Sequence, residues 1–360
     1  MKTVHLIAAA RPNFMKVAPL WHALKTSGEF MPKLIHTGQH YDPNLSDAIF
    51  ADLSLPAPDF HLGVGSGSHA TQTGKVMIGY ETIAMAERPD WLVVVGDVNS
   101  TLACAMFGAK LRIPTVHLEA GLRSRDRDMP EEINRLATDV ISDVLWTRSP
   151  DGDANLLAEG IPAERITRVG NIMLDSFEMV RPVVEAAADW EAQGVARGGY
   201  AVLTLHRPSN VDGQERLIAL TEALVALQAK LPLVFPVHPR TAAQLAKSGL
   251  AGKLTEAGVK LVEPLPYKRF MSLVLGSRLV VTDSGGIQEE TTYLGIPCLT
   301  LRPNTERPIT ISEGTNRLVT LATLSSAVDE VMGRTYQPRR PEFWDGQTAG
   351  RCVADLRARG

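Results

Sequence analysis

The chain has 360 residues, of which 44% are hydrophobic and 21% charged, and its formal net charge is −3. This length suits two domains of roughly 150 to 200 residues, and the charge gives no support for a nucleic-acid-binding surface. No apolar run approaches the roughly 20 residues that a membrane span needs. Three widely spaced cysteines, Cys104, Cys298 and Cys352, favour a reducing, cytoplasmic compartment with neither a disulfide framework nor a zinc site.

Short β-branched runs alternate with helical patterns along the whole chain, which predicts βαβ units and parallel sheets. The first set of predicted strands is 4–8, 33–36, 92–95, 116–118, 144–147 and 166–169. The second set is 201–205, 233–237, 260–262, 279–282 and 298–301. Two such sets predict an α/β fold of two Rossmann-like, doubly wound domains, with a boundary near residues 171–195.

Polar residues fall mostly just after these strands. The segments are 36–40, 96–100, 119–123, 206–207, 238–240 and 283–286. Ligands bind beyond the carboxyl ends of strands in open α/β sheets. Loops at strand ends are also polar because they are exposed, but that explains one such segment better than six. We therefore expect a binding cleft between the two domains.

The segment 279–290 is the strongest local signal, because it predicts a strand, a tight glycine turn and a helix start. Gly285 and Gly286 let backbone N–H groups approach an anion, and Ser284 adds a hydroxyl donor. Glu290 follows about one turn later, where a carboxylate can accept ribose hydroxyls. An ordinary helix with Ser284 as its N-cap explains the motif equally well.

Charged residues elsewhere are candidates for the chemistry. The basic residues that could complement a diphosphate are Arg11, Lys16, His206 and Arg307. The candidate proton-transfer carboxylates are Asp97, Glu119, Glu131 and Glu132. Asp97 and Glu119 directly follow apolar strands, where partial removal from water suits them to proton transfer. Taken alone, Arg11 and Lys16 are more commonly surface cations, and Asp97 and Glu119 can be hydrogen-bonding loop acids. Glu131 and Glu132 are well explained as the usual acidic first turn of a helix.

Two glycine-rich segments are rejected as nucleotide fingerprints. Residues 63–67 have the wrong spacing for a dinucleotide motif, and residues 67–75 have too many residues between the glycines for a phosphate loop. The histidines within apolar runs, His5, His22, His36 and His117, are expected to be packed side chains. No pair has metal-ligand spacing, so we expect neither a metal nor a cofactor.

Taken together, these residues resemble the non-hydrolysing UDP-N-acetylglucosamine 2-epimerase family, nearly end to end. The segments that carry the resemblance are 37–40 (TGQH), 96–101 (GDVNST), 117–124 (HLEAGLRS), 130–135 (PEEINR), 205–207 (LHR), 283–290 (DSGGIQEE) and 305–308 (TERP). Their joint occurrence in this order is highly specific.

The resemblance implies a GT-B-like fold, a homodimer and a UDP-sugar substrate. It implies a first domain at 1–172, a second at 173–342, and a helix at about 343–360 that packs back on the first. The implied catalytic residues are Asp97, Glu119, Glu131 and His206. The implied substrate-binding residues are Arg11, Lys16, Arg135, His238, Ser284, Gly285, Gly286, Glu290 and Arg307.

The implied reaction is the interconversion of UDP-N-acetylglucosamine and UDP-N-acetylmannosamine through 2-acetamidoglucal, which supplies donors for surface polysaccharide. Three alternatives stay open: an epimerase for a modified UDP-2-acetamido sugar, a GT-B glycosyltransferase and a non-catalytic UDP-sugar sensor.

The chain departs from the family pattern where Asn13 replaces a glutamate and Pro208 replaces an arginine. Family members that bind a second UDP-N-acetylglucosamine as an activator use positions near these motifs. Gln39, His40 and His238 remain there, but Asp42 and Pro208 oppose such an effector.

Overall fold

The computed structural model describes residues 1–38, 50, 52–337 and 340–360, and only the backbone of Arg11. It has two compact units, one of Met1–Val180 with Glu342–Gly360 and the other of Arg181–Pro341. The chain therefore changes unit at Val180, inside a helix, rather than at residue 172. The expectations for Gln39, His40 and Asp42 lie outside the described residues.

The first unit contains a sheet of seven strands in the order β3-β2-β1-β4-β5-β6-β7, and every neighbouring pair is parallel. The strands are β1 Lys2–Ala8, β2 Phe30–His36, β3 Phe60–His61, β4 Trp91–Val95, β5 Thr115–Ala120, β6 Val144–Thr147 and β7 Ile166–Arg168. Strand order reverses between β1 and β4, which makes this pair the switch point where doubly wound sheets bind ligands.

Helices connect these strands and cover the sheet. They are Arg11–Ser27, His69–Ala86, Asn99–Leu111, Pro130–Ile141, Pro150–Ala158, the 3-10 turn Ala163–Arg165, Ile172–Ala187 and Thr348–Arg359. The last of these belongs to the first unit, where Trp146 Nε1 donates to Asp355 Oδ2 over 2.7 Å. Trp344 is fully buried in the same unit and donates Nε1 to Arg148 O over 3.0 Å.

The second unit contains six parallel strands in the order β10-β9-β8-β11-β12-β13, with its switch point between β8 and β11. The strands are β8 Ala201–Thr204, β9 Leu233–Pro236, β10 Lys260–Val262, β11 Leu279–Thr282, β12 Cys298–Thr300 and β13 Asn316–Leu318. The helices are Asp189–Ala192, Pro208–Val211, Gln214–Gln228, Pro239–Ser248, Leu250–Glu256, Tyr267–Gly276, Gly286–Leu294, Ile309–Ser312 and Leu321–Met332.

The expected α/β class with two parallel sheets is confirmed. The central strands β4 and β11 are buried along their whole length, as their continuous apolar runs predict. The short strands β3 and β13 were not predicted. All three cysteines are unpaired and buried, and none of the helices in the described residues is long and apolar enough to span a bilayer.

Candidate active site

In the first unit, Lys16 and Glu119 form an ion pair at the switch point. Lys16 lies on the helix that follows β1, and its Nζ contacts Glu119 Oε2. Arg148 Nη1 lies 4.0 Å from the other carboxylate oxygen of Glu119. Each oxygen of the Glu119 carboxylate therefore faces a cation, and the residue is only 6% exposed.

Glu119 was expected directly after its strand, but it lies inside β5. Its φ is +73°, a left-handed conformation that non-glycine residues rarely adopt. The register of β5 against β6 shifts between Leu118 and Ala120, so Glu119 occupies a β-bulge. Bulges redirect a side chain, and strained residues cluster at functional sites.

Asp97 follows β4 as predicted and pairs with Arg135. Arg135 Nε and Nη2 approach Asp97 Oδ2 at 3.0 and 2.9 Å. Asn134 Nδ2 donates to the backbone oxygen of Asp97 over 2.9 Å. The helix Pro130–Ile141 therefore holds both the backbone and the side chain of Asp97.

Neighbouring glutamates on this helix have different environments. Glu132 is buried and accepts hydrogen bonds of 2.9 Å from Ser124 N, Ser124 Oγ and Arg125 N. Burial alone would raise the pKa of Glu132, but these hydrogen bonds and Arg135 lower it. Glu131 is exposed, so its carboxylate is accessible to a ligand.

Asn13 has two structural contacts. Its Oδ1 accepts from Ala10 N over 3.1 Å at the start of the helix, and its Nδ2 donates to Val95 O over 3.0 Å. The residue therefore connects the ends of β1 and β4. The Arg11 backbone begins the helix one residue after Ala10.

In the second unit, the helix Gly286–Leu294 begins without a side-chain cap. Its N-cap residue is Gly285, so Ser284 is not the N-cap that an ordinary capped helix would have here. A methyl group on Gly286 would meet no atom within 4 Å among the described residues, whereas one on Gly285 would lie 2.5 Å from Arg307 Nη1. An open helix N-terminus beside a guanidinium is a site for an anion.

Arg307 belongs to a network of charged residues that includes some the sequence did not single out. Its Nε lies 3.1 Å from Glu289 Oε1, and its Nη1 lies 3.4 Å from Glu306 Oε2. Arg302 donates to both oxygens of Glu306 over 2.8 and 3.1 Å. Burial would raise the pKa of Glu306, but Arg302 and Arg307 lower it to about 2.

His206 follows β8 and lies beside Asp283. Its Nδ1 is 3.2 Å from Asp283 Oδ1, and its backbone N–H donates to the same carboxylate. Burial lowers the pKa of His206, against the opposing effect of Asp283. An imidazole that is neutral at pH 7 suits proton transfer. Asp283 is fully buried and also accepts from Arg207 N.

Glu290 is buried and accepts from Tyr267 Oη over 2.6 Å. Burial and the neighbouring Glu289 raise the pKa of Glu290 to about 7, although the Tyr267 hydrogen bond opposes the shift. Such a carboxyl changes its charge in the physiological pH range.

His238 and Pro208 begin helices. His238 Nδ1 accepts from Arg240 N over 3.2 Å as the N-cap of Pro239–Ser248, and its ring centroid lies 5.1 Å from that of His206. Pro208 is the first residue of Pro208–Val211, a position where proline needs no amide hydrogen. Within the described part of the chain, no cluster of three or more His, Cys, Asp or Glu could hold a metal ion.

Comparisons with known proteins agree on one family. A family model described as UDP-N-acetylglucosamine 2-epimerase matches residues 22–357. The UDP-N-acetylglucosamine 2-epimerase of Methanocaldococcus jannaschii is 40% identical, and the alignment covers 98% of each chain. The UDP-2,3-diacetamido-2,3-dideoxy-D-glucuronate 2-epimerase of Pseudomonas aeruginosa is 36% identical over 97% of this chain and 98% of its own.

A solved structure gives the same result. The crystal structure of the Methanocaldococcus jannaschii UDP-GlcNAc 2-epimerase in complex with UDP-GlcNAc and UDP superposes with a TM-score of 0.85 at 38% identity. The superposition covers 99% of both chains.

Proposed function

Because the chain belongs to the UDP-N-acetylglucosamine 2-epimerase family, a family of isomerases, we propose that it interconverts UDP-N-acetylglucosamine and UDP-N-acetylmannosamine by eliminating and re-adding UDP. One observation carries the proposal. Each unit places its polar residues at the switch point of its own sheet, with cation-paired carboxylates in the first and an open helix N-terminus beside Arg307 in the second.

The chemistry explains why both kinds of residue are needed. The C2–H bond of a 2-acetamido sugar is not acidic, so direct removal of the proton has a high barrier. Breaking the C1–O bond to UDP builds positive charge at C1 and lets a base take the C2 proton, which yields UDP and 2-acetamidoglucal. UDP then adds back at C1 while a proton reaches the opposite face of C2.

The residues divide between these tasks. Asp97, Glu119 and Glu131 transfer protons at the sugar, and Glu119 is oriented by Lys16. In the second unit, the amides of the helix Gly286–Leu294 and Arg307 stabilise the departing diphosphate. His206 transfers a proton near the diphosphate, and Glu290 accepts the ribose hydroxyls. The product is a donor for glycosyl transfer into surface polysaccharide.

A modified sugar is the second candidate substrate. The relative from Pseudomonas aeruginosa is nearly as similar to this chain as the relative from Methanocaldococcus jannaschii is, and its name gives a 2,3-diacetamido-2,3-dideoxyglucuronate. The same elimination applies to that sugar because its C1 and C2 substituents are unchanged.

Incubation in D2O tests the reaction. We expect UDP-N-acetylglucosamine to give the manno product, with deuterium incorporated at C2 and no net hydrolysis, because re-protonation draws on solvent. NMR of the sugar C2 position measures both outcomes, and UDP-2,3-diacetamido-2,3-dideoxyglucuronate is assayed beside it. A glycosyltransferase or a sensor would exchange no C2 hydrogen, and absence of both exchange and epimer with both substrates would contradict the proposal.

The pH dependence of UDP binding tests Glu290. A pKa raised to about 7 means that the carboxylate needed to accept ribose hydroxyls forms as the pH rises through 7. We expect the dissociation constant of UDP to be up to roughly tenfold higher at pH 6 than at pH 8. Titration calorimetry of wild type against Glu290→Gln isolates this contribution, because the phosphate of UDP and His206 titrate equally in both. If the UDP affinities of the wild type and of Glu290→Gln changed in parallel with pH, Glu290 would not be the group that accepts the ribose hydroxyls.

Two helices of the first unit support the homodimer that the resemblance implies. Ile78 and Met85 lie seven residues apart on His69–Ala86 and are 68% and 67% exposed. Ile133 and Val140 have the same spacing on Pro130–Ile141 and are 40% and 59% exposed. The helix Asn99–Leu111 packs between them. Apolar side chains exposed on neighbouring helices favour a self-association surface.

A charge placed on this surface tests the dimer. We expect light scattering to give a molar mass of two chains for the wild type and of one chain for Ile78→Asp. A carboxylate at position 78 would lose free energy if it were buried in the interface. Val183, 52% exposed in the second unit, provides the control as Val183→Asp. A wild-type monomer, or an Ile78→Asp dimer, would exclude this interface.

A further inference from the structure

Strand β5 also carries a buried histidine, two residues before Glu119. His117 is 1% exposed, and its Nε2 lies 2.8 Å from Gly96 O. A carbonyl oxygen can only accept a hydrogen bond, so Nε2 must carry the hydrogen and donate it. The bond holds the backbone of the residue directly before Asp97.

Asp139 lies on the other side of the ring and is fully buried on Pro130–Ile141. Its Oδ1 lies 2.6 Å from His117 Nδ1. Its Oδ2 accepts from Gly121 N over 3.1 Å and pairs with Arg123 Nη1 at 2.8 Å. Burial alone would raise the pKa of Asp139, but His117 and Arg123 hold it below its usual range. Asp139 therefore accepts from the ring.

The two ends of this chain of hydrogen bonds are turns that glycine makes possible. Gly96 has φ +71° and immediately precedes Asp97, and Gly121 has φ +79° and follows Glu119 by two residues. A methyl group at Gly121 would overlap Gly152. One continuous path of hydrogen bonds thus connects the turn that carries Asp97 with the turn that directly follows the bulge at Glu119. It runs from Gly96 O through His117 and Asp139 to Gly121 N.

Packing alone does not explain this pair. Burying two ionisable groups costs free energy that apolar side chains of similar size would not incur. An apolar pair would fill the space, but it could neither donate to Gly96 O nor accept from Gly121 N. The residue types therefore match the task of fixing two backbone groups.

We propose that His117 and Asp139 are positioning residues that hold the turns bearing Asp97 and Glu119 in the geometry needed for proton transfer. This inference rests on the proposed function. Neither side chain acts on the sugar, and both act through the backbone of the acids. A displacement of about 1 Å at a reacting group can lower the rate roughly 100-fold.

Two variants of His117 each keep one of its two hydrogen bonds and lose the other. The glutamine nitrogen in His117→Gln can reach the place of Nε2 and keep the bond to Gly96 O. The asparagine nitrogen in His117→Asn can reach only the place of Nδ1 and keeps the contact with Asp139. We expect kcat of His117→Asn to fall roughly 100-fold with KM within about twofold of wild type. His117→Gln should recover at least about tenfold of that loss, because the turn of Asp97 stays held.

His5→Gln is the matched control. His5 is also fully buried in the sheet, but its Nδ1 lies 3.1 Å from Tyr80 Oη and it contacts neither acid-bearing turn. We expect its kcat to stay near that of wild type even if its melting temperature falls. Equal kcat losses in His5→Gln and His117→Asn, or a wild-type kcat in His117→Asn, would overturn the inference.

Hydrogen exchange of the full chain separates the inference from the proposed function. We expect His117→Asn to lose amide protection at residues 96–98, because the bond to Gly96 O is gone. We expect Asp139→Ala to lose it at residues 119–121, because alanine accepts no bond from Gly121 N. Other segments of the sheet should keep their protection. This result does not depend on activity. If the wild type turned over neither UDP-sugar, the proposed function would fail, and unchanged protection in both turns would still overturn the inference by itself.

Discussion

Replacement of Glu119 by glutamine is expected to lower turnover by roughly two to four orders of magnitude while UDP affinity stays within about twofold. Glutamine keeps the size of the side chain, so the change removes its charge and its proton-transfer capacity. Lys16 then loses its anionic partner but keeps a hydrogen-bond acceptor. Saturating kinetics measure turnover, and calorimetry with UDP measures affinity.

Asp97→Asn and Glu131→Gln should behave in the same way, since neither residue belongs to the unit that we propose binds UDP. Glu164→Gln is the matched control, because Glu164 is an exposed glutamate of the same unit. Variants of the three acids that lost UDP affinity but kept turnover at saturation would show that the assignment is wrong.

Replacement of Arg307 by alanine is expected to weaken UDP binding by roughly 10- to 150-fold, because a hydrogen bond to a charged group contributes about 1.5 to 3 kcal/mol. Lysine keeps the charge but not the planar pair of donors, so Arg307→Lys should fall between alanine and wild type. Gly285→Ala should also weaken UDP binding, because its methyl group would lie 2.5 Å from Arg307 Nη1 and displace the guanidinium.

Arg317→Ala is the control for these variants, since Arg317 is exposed and pairs with Glu330 at 2.7 Å in the same unit. Arg307→Ala also removes a partner of the buried Glu289, so melting temperatures are measured beside the affinities. Unchanged UDP affinity in both Arg307→Ala and Gly285→Ala would exclude this end of the helix as the diphosphate site.

The central strands could be predicted because burial on both faces requires an apolar run, and β4 and β11 have one. The strand β3 has only two residues, Phe60 and His61, which is too short for any pattern. The strand β13 contains Asn316 and Arg317 and has a single neighbour, so it lacks the apolar signal of a central strand.

The site could be predicted in part. The position of Asp97 after β4 follows from the strand pattern, but the bulge at Glu119 depends on the register of β5 against β6, which no local pattern records. Glu131 and Glu132 are adjacent in the sequence, and only the fold of the loop at Ser124 decides which of them is buried. The network around Arg307 likewise joins residues from separate loops.

The left-handed φ of Glu119 has a consequence for stability. Such a conformation costs about 1 to 2 kcal/mol for a residue with a side chain, and glycine avoids that cost. Glycine at this position would therefore remove both the strain and the carboxylate. The proton transfer that we propose for Glu119 gives a reason to retain the strain, because only a side chain can supply the carboxylate.

The order of synthesis follows from the discontinuous first unit. Glu342–Gly360 leaves the ribosome only after all of Arg181–Pro341 has been made. Until then, the nascent first unit lacks Trp344 and the acceptor Asp355 for Trp146. The second unit is contiguous and can complete its sheet earlier. The half of the protein that is translated first is therefore the half that finishes folding last.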